Sequence, residues 1–256
     1  MTPILVAHRG YAKKYPENSL LGLEQALLAG ACMIELDVQM SADHQFVILH
    51  DSHFARTSGC IDSVFDLTIN EVSKISVHEP ERFANQFNPT PVPTLTQFIN
   101  LLRQYPQATA FIEIKDESLE RWGMDFVIER LQQVLMPCLE QCIIITFSYS
   151  ALASVKKQGD YRIGWILTQF DDEHHQRAKN LQPDYLICNY KKISDEYRNT
   201  HQLWQDCGTW MLYDITEPGQ AIDWAAYGVD LIETWDIGAM LQHPQLQQVA
   251  CQHKVL

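Results

Sequence analysis

A strand, a helix and a second strand are encoded near the start of the chain, in residues 4–38, which read ILVAHRGYAKKYPENSLLGLEQALLAGACMIELDV. The first apolar run, Ile4–Ala7, has the length of a buried strand. From Ser19 to Ala29, apolar residues recur at intervals of three and four, which predicts a helix. Met33–Val38 again has strand character. This order predicts a βαβ unit with parallel strands.

The same alternation continues through most of the 256 residues. Eight units in about 250 residues predict an α/β fold, a (β/α)8 TIM barrel formed as one domain by residues 1–256. An open doubly wound sheet is the alternative, although no GxGxxG follows the first strand, which argues against its dinucleotide-binding form. The predicted strands are Ile4–Ala7, Met33–Val38, Ala110–Ile114, Cys142–Phe147, Arg162–Leu167, Tyr185–Cys188, Thr209–Tyr213 and Asp230–Glu233.

One segment interrupts the alternation. After Phe46–His50, about 40 residues pass before a helix begins near Thr94, and several prolines lie among them. A connection of this length without structure of its own is uncommon in a compact domain. We therefore predict a small insertion over one end of the barrel, at about residues 51–93.

Composition and charge exclude several classes of function. Hydrophobic residues make up 46% of the chain, and the 19 basic and 32 acidic residues give a formal net charge of −13. Such acidity argues against nucleic-acid binding and against docking on an anionic membrane. No apolar run approaches the roughly 18 residues that span a bilayer, and the N-terminus lacks signal-peptide character. We predict a cytoplasmic protein without stable membrane insertion, and leave its oligomeric state open.

The seven cysteines fit the same prediction. Their number is odd and no CxxC motif occurs. Buried, reduced thiols are therefore expected rather than disulfides or a zinc site.

Ionisable residues cluster where the predicted strands end, and barrel enzymes carry their chemistry at those ends. His8 and Arg9 directly follow the first strand, and Glu35 and Asp37, two residues apart, share one face of the second. Two later segments end in the same way, in His50-Asp51 and in Glu113-Ile114-Lys115. Carboxylates in apolar strands need partners, so we expect these groups to meet at one end of the barrel.

Three of these residues predict a metal site. Glu35, Asp37 and Glu113 would bring three negative charges together, which raises carboxyl pKa values and opposes folding. A hard divalent cation relieves this repulsion, and an all-oxygen set suits Mg²⁺ or Ca²⁺, with Mn²⁺ as a further candidate, rather than Zn²⁺.

The remaining residues predict acid–base chemistry on an anion. His8 and His50 can exchange protons near neutral pH, and Arg9 and Lys115 can hold an anionic group. Together with a metal, this set predicts hydrolysis of a phosphate ester or diester.

The motifs resemble those of the glycerophosphodiester phosphodiesterase family, of the bacterial cytosolic type. The clear match covers residues 4–115, and the interruption after His50 falls where that family carries an insertion. The resemblance implies a TIM barrel that hydrolyses glycerophosphodiesters to sn-glycerol 3-phosphate and an alcohol. The matching motifs are HRG at 8–10, PENS at 16–19, ELDV at 35–38, HD at 50–51 and EIK at 113–115.

The resemblance also implies a role for each site residue. Glu17 and Asn18 match its PEN segment, for which a structural role is favoured, with Asn18 or Ser19 as the cap of the following helix. The implied assignments are general acid and base for His8 and His50, metal binding for Glu35, Asp37 and Glu113, and phosphate contact for Arg9 and Lys115.

Two positions depart from the family's pattern. Tyr213-Asp214 stands where Trp-Thr is common, and Thr234-Trp235-Asp236 where Thr-Asp is usual. We expect Tyr213 and Trp235 to line the substrate pocket against the glycerol or the leaving alcohol, and thereby to affect substrate choice.

Two other functions are alternatives. One is a lysophospholipase D-like phosphodiesterase on the same barrel, to which the resemblance extends; the absence of a signal sequence argues against it. The other is a non-catalytic phosphodiester-binding protein. The complete set of two histidines, three carboxylates and two cations argues against that reading.

Overall fold

The computed structural model of the protein describes residues 2–247. Eight of its strands are parallel to their neighbours, and β1 pairs with both β2 and β9, so the sheet closes into a barrel. The predicted (β/α)8 barrel is confirmed and the open sheet is excluded. The strands are β1 Ile4–Ala7, β2 Met33–Met40, β3 Phe46–Ile48, β4 Thr109–Ile114, β5 Cys142–Thr146, β6 Ile163–Ile166, β7 Tyr185–Asn189, β8 Thr209–Tyr213 and β9 Leu231–Thr234.

Helices connect the strands and cover the barrel. Ser19 caps α1, because its hydroxyl accepts a hydrogen bond from the backbone N–H of Gly22 at 2.9 Å. The helices are α1 Leu20–Leu28, α2 Ala55–Ser58, α3 Ile69–Val72, α4 Pro80–Phe83, α5 Leu95–Leu102, α6 Asp116–Trp122, α7 Met124–Leu135, α8 Tyr149–Gln158, α9 Asp172–Leu181, α10 Asp195–Thr200, α11 Pro218–Ala226 and α12 Ile237–Gln242.

The interior of the barrel is apolar and determines where polar side chains can lie. Val6, Phe111 and Leu231 belong to one buried cluster with residues of the other strands. Because side chains alternate along a strand, the residues two positions further on face the same interior at the strand ends. Those residues are His8, Glu113 and Glu233, and they meet above the apolar cluster.

The position of His50 depends on a hairpin that the eight predicted strands do not include. β3 pairs antiparallel with the far end of β2, Val38–Met40. The backbone N–H of Leu49 donates to the carbonyl of Asp37 at 3.0 Å, so the chain returns to the level of Asp37. His50 therefore reaches the barrel mouth at the end of a returning strand and not at the end of a parallel barrel strand.

Residues 51–93, the segment we predict to be an insertion, contain α2, α3 and α4. This segment packs around a small apolar cluster separate from the main core. The buried members of the cluster are Val47, Leu49, Phe54, Val64, Val72, Val77 and Val92.

Cys32 corrects one expectation from the sequence. It takes part in a disulfide, so the prediction of reduced thiols is wrong at this residue. Spacing alone does not reveal which cysteines meet in the fold. The free cysteines within residues 2–247 are Cys60, Cys138, Cys142, Cys188 and Cys207, of which all but Cys60 are buried.

Among the same residues, no helix combines the length and the apolar character that crossing a bilayer requires.

Candidate active site

A cavity of about 190 Å³ opens where the barrel strands end. The structure brings nearly all the predicted site residues to its wall. Asp37 is the exception, since it lies fully buried behind the lining residues. The lining comprises His8, Arg9, Glu35, His50, Glu113, Lys115, Ile145, Phe147, Ile166, Ile187, Tyr213, Asp214, Glu233 and Trp235.

Three buried carboxylates form a group that could hold a cation. One oxygen each from Glu35, Asp37 and Glu113 lies within 4.8 Å of the other two. The strand register explains this, because Asp37 of β2 stands directly opposite Glu113 of β4, and Glu35 precedes Asp37 by two residues on the same face. An all-oxygen donor set fits a hard divalent cation.

The electrostatics of this group also fit a cation. Burial, followed by repulsion from Asp37, raises the pKa of Glu35 well above its usual value and that of Glu113 to about 7. Burial alone would raise the pKa of Asp37 as well, but Arg9 and Lys115 outweigh it and hold that pKa below its usual value. Two of the three carboxyls therefore resist ionisation unless further positive charge is supplied.

Arg9 and Lys115 are held by the same carboxylates. Nε of Arg9 lies 3.2 Å from Oδ2 of Asp37, and the backbone N–H of Arg9 donates to Oε2 of Glu35 at 3.0 Å. Nζ of Lys115 donates to Oε1 of Glu113 at 2.7 Å and lies 3.4 Å from Oδ1 of Asp37. Both cations thus stand at the cavity wall, where an anion could share them.

The two histidines lie in different surroundings. His8 is buried, and its Nε2 is 3.9 Å from a carboxylate oxygen of Glu35 and 3.9 Å from one of Glu233. Burial, and then the charge of Arg9, lower the pKa of His8 to about 3, so its ring is neutral at pH 7. Nδ1 of the half-buried His50 donates to Oδ1 of Asp51 at 2.6 Å, which fixes its ring and leaves Nε2 for proton exchange.

Sequence comparison shows the family of the chain. The glycerophosphoryl diester phosphodiesterase family model matches residues 8–217. This chain belongs to the glycerophosphoryl diester phosphodiesterase family. The membership and the enzyme class predicted from the sequence are therefore confirmed.

Relatives of this phosphodiesterase occur in bacteria and animals. The chain is 30% identical over 168 residues to a glycerophosphodiester phosphodiesterase of Caldanaerobacter subterraneus, with 65% of this chain and 67% of the relative covered. It is 33% identical over 244 residues to glycerophosphodiester phosphodiesterase 1 of Bos taurus, with 91% and 71% covered. The chain thus spans about two thirds of the length of these relatives.

Solved structures share the fold of this phosphodiesterase. A phosphodiesterase of Oleispira antarctica in complex with the product sn-glycerol-3-phosphate superposes with a TM-score of 0.82 at 21% identity, covering 93% of this chain and 95% of that one. A protein from Galdieria sulphuraria described as a putative glycerophosphodiester phosphodiesterase superposes at 0.79 with 17% identity, covering 94% and 97%. At these identities the likeness shows the fold alone.

Glu233 lines the candidate site, and it was not singled out from the sequence. It is buried and lines the cavity, and burial, followed by the charge of Glu113, raises its pKa well above the usual value. The signal was present, because a lone carboxyl in the apolar run Leu231–Thr234 repeats the pattern that identified Glu35 and Glu113.

Glu17 and Asn18, for which the sequence favoured only a local structural role, also contact residues of the site from behind. Nδ2 of Asn18 donates to Oδ2 of Asp37 at 2.8 Å. The buried Glu17 accepts hydrogen bonds from Arg9 at 2.9 Å and from Arg56 at 2.7 and 2.8 Å. Arg56, in α2, is the second residue that the sequence did not single out.

Tyr213 and Trp235, the two departures from the family pattern, both line the cavity. The indole of Trp235 meets the ring of His8 edge-on, with centroids 4.9 Å apart. The guanidinium carbon of Arg9 lies 5.3 Å from the centroid of Trp235. An aromatic wall therefore stands beside both a candidate proton-exchanging group and a candidate anion-binding group.

Proposed function

We propose that the protein hydrolyses glycerophosphodiesters to sn-glycerol 3-phosphate and an alcohol, with one divalent cation as cofactor. The observation that carries the proposal is the cavity whose wall holds two histidines, two cations and two carboxylates of the cluster, with the third, Asp37, directly behind the wall. The family membership supports it, as do relatives named glycerophosphodiester phosphodiesterases. A neighbour of the same fold is described in complex with sn-glycerol-3-phosphate, the product proposed here.

Glu35, Asp37 and Glu113 would hold the cation, which is Mg²⁺, Ca²⁺ or Mn²⁺. When bound, it supplies positive charge to a phosphate oxygen and polarises phosphorus. Arg9 and Lys115 share the same negative charge from the cavity wall, and this charge grows as the phosphate is attacked.

The histidines move the protons. His8, whose ring burial keeps neutral, accepts the proton of the attacking oxygen, which belongs either to water or to the glycerol C2 hydroxyl. In the second case a cyclic phosphate forms as the alcohol leaves, and water then opens it to glycerol 3-phosphate. His50, oriented by Asp51, delivers a proton from Nε2 to the leaving oxygen. Tyr213 and Trp235 pack against the glycerol or the leaving alcohol.

In this proposal the chain forms one phosphodiesterase domain, in which residues 51–93 are the insertion. The cytoplasmic location remains a prediction from the sequence.

Release of glycerol 3-phosphate from glycerophosphocholine and glycerophosphoethanolamine tests the reaction, with EDTA and then with each added cation. We expect release that EDTA abolishes and one cation restores. Lysophosphatidylcholine, assayed in parallel, tests the lysophospholipase D alternative. Absence of release from folded protein with every cation would overturn the proposal.

Titration of the three cations by calorimetry tests the metal site independently of turnover. Glu35→Gln and Glu113→Gln should each abolish or strongly weaken binding, because each removes an anionic ligand. Glu120→Gln, a change at an exposed residue of α6, is the matched control. Unchanged affinity in both site variants would reject the assigned ligands.

A further inference from the structure

Arg56 lies in α2, within the segment 51–93, and joins two carboxylates at the barrel mouth. Its Nε donates to Oδ2 of Asp51 at 2.8 Å. Its two terminal nitrogens donate to Oε2 and Oε1 of Glu17 at 2.7 and 2.8 Å. All three guanidinium nitrogens are therefore used, and the planar group fixes the relative position of both carboxylates.

Each of these carboxylates also holds a residue that the proposed reaction uses. The other oxygen of Asp51 accepts the Nδ1 hydrogen of His50 at 2.6 Å. Oε1 of Glu17 accepts from the guanidinium of Arg9 at 2.9 Å. One side chain of segment 51–93 thus stands between the candidate acid and the candidate phosphate-binding group.

The two contacts of Arg56 differ in burial. The side chain of Glu17 is only 2% exposed, whereas those of Arg56 and Asp51 are 44% and 33% exposed, so it is the contact with Glu17 that differs from an ordinary surface ion pair. Exposed pairs contribute little, but a buried carboxylate with two arginine partners has a defined position. The backbone N–H of Glu17 is itself anchored, since it donates to the buried Glu79 at 3.2 Å.

We propose that Arg56 is a positioning residue that aligns His50, through Asp51, and Arg9, through Glu17. Segment 51–93 thereby completes the active site as well as covering the barrel. The inference rests on the proposed function, because it assigns Arg56 to the efficiency of that reaction.

Kinetics of Arg56→Ala and Arg56→Lys with glycerophosphocholine test the inference. We expect kcat to fall about 10- to 100-fold in Arg56→Ala, the size usual for lost support of a reacting group. Arg56→Lys should recover only part of the loss, because one ammonium cannot hold both carboxylates in the same plane. Arg130→Ala, in α7, removes an arginine that bonds Gln133 and should leave kcat unchanged.

Rescue separates positioning from a general loss of structure. Millimolar guanidinium should restore part of the kcat of Arg56→Ala, and should have no such effect on wild-type protein or on His50→Ala. The Asp51→Asn change should cost much less in Arg56→Ala than in wild-type protein, because the two residues act along one path. If the effects of Asp51→Asn and Arg56→Ala on the free energy of activation are fully additive, and guanidinium restores no kcat to Arg56→Ala, the inference is overturned.

A measurement that needs no turnover keeps the two proposals apart. The Nδ1 proton of His50, assigned by its loss in His50→Gln, should give a low-field proton NMR signal in wild-type protein that shifts or broadens in Arg56→Ala. If wild-type protein lacks the proposed activity, the proposed function fails while this signal still reports on positioning.

An unchanged signal combined with wild-type kcat in Arg56→Ala would reject the role of Arg56. If Arg56→Ala does not fold, Arg56→Lys and Arg56→Gln are measured in the same way. An unchanged His50 signal with wild-type kcat in both of these variants would reject the role of Arg56.

Discussion

Two groups of carboxylates at the barrel mouth are in opposite electrostatic states. Glu17 and Asp51, the paired carboxylates, share Arg56, and each has a second partner in Arg9 or His50. Burial alone would raise the pKa of Glu17, but Arg56 and Arg9 outweigh it and lower that pKa.

The second group, the crowded carboxylates, consists of Glu35, Glu113 and Glu233. Burial, followed by repulsion from neighbouring carboxylates that include Asp37, raises the pKa of all three. This difference shows which carboxylates have their charge balanced by the protein's own side chains. The chain's own arginines neutralise the charge of the paired carboxylates, whereas the crowded carboxyls resist ionisation until further positive charge, such as a bound cation, is supplied.

The largest effect is expected from the two histidines, of which His8 lies beside the crowded carboxylates and His50 beside the paired ones. His8→Ala and His50→Ala should each lower kcat for glycerophosphocholine by about 10²- to 10⁴-fold, because each removes a proton-exchanging group. His243→Ala, beyond the end of α12, is the control and should retain full turnover. Near-normal turnover in either site variant, with the circular dichroism of the wild type, would contradict its assigned role.

Removing the charge of one paired carboxylate should destabilise the protein. Glu17→Gln leaves Arg9 and Arg56 without their shared partner, and should lower the free energy of unfolding by about 2 kcal/mol, since one of the two arginines is partly exposed. Urea unfolding at pH 7 measures this, with the exposed Glu120→Gln as the reference. If Glu17→Gln and Glu120→Gln are equally stable, Glu17 contributes no more to stability than an exposed carboxylate.

The crowded carboxylates predict a pH-dependent cation affinity. Glu113, with a pKa of about 7, holds a proton at pH 6 that an entering cation must displace. Affinity should therefore rise from pH 6 to pH 8, by up to about tenfold per pH unit for each displaced proton below the raised pKa. Calorimetry in buffers of different ionisation enthalpy counts the released protons, and a flat affinity without proton release would refute the prediction.

The smallest effect should have the opposite sign to that of Glu17→Gln. A carboxyl with a raised pKa binds its proton more tightly when folded, so its contribution to stability falls as pH rises from its unfolded to its folded pKa. Glu233→Gln should thus stabilise the protein in EDTA by about 1 kcal/mol at pH 8, and by less at pH 5. Urea unfolding of Glu233→Gln and wild-type protein at both pH values measures this effect. A variant less stable than the wild type at pH 8 would contradict the contrast between paired and crowded carboxylates.

The residues at the ends of parallel strands could be predicted from the sequence. Glu35 and Glu113 stood out because they are carboxyls in apolar strands, and period-two alternation put both inside the barrel. The same rule applied to Glu233 and was not used there, although Leu231 and Ile232 directly precede it. A local sequence pattern was enough to predict a residue's position in the barrel wherever that position depends only on the strand that carries it.

Pairing across the chain could not be predicted. Arg56 and Glu17 are 39 residues apart, and their contact depends on how segment 51–93 folds over the mouth. His50 was expected at the correct end, but the antiparallel β3 that brings it there was not among the eight predicted strands. The disulfide of Cys32 belongs to the same class, since it too depends on tertiary proximity.

The closure of the barrel has a consequence for how the protein is made. β1 pairs with β2 on one side and with β9 on the other, and His8 stands between Glu35 and Glu233, which those two strands carry. The nascent chain must be synthesised as far as β9 before this charge crowding exists. The crowding opposes the last step of assembly. A cation held by Glu35, Asp37 and Glu113 would offset this negative charge, and we therefore expect divalent cations to favour the closed barrel by mass action.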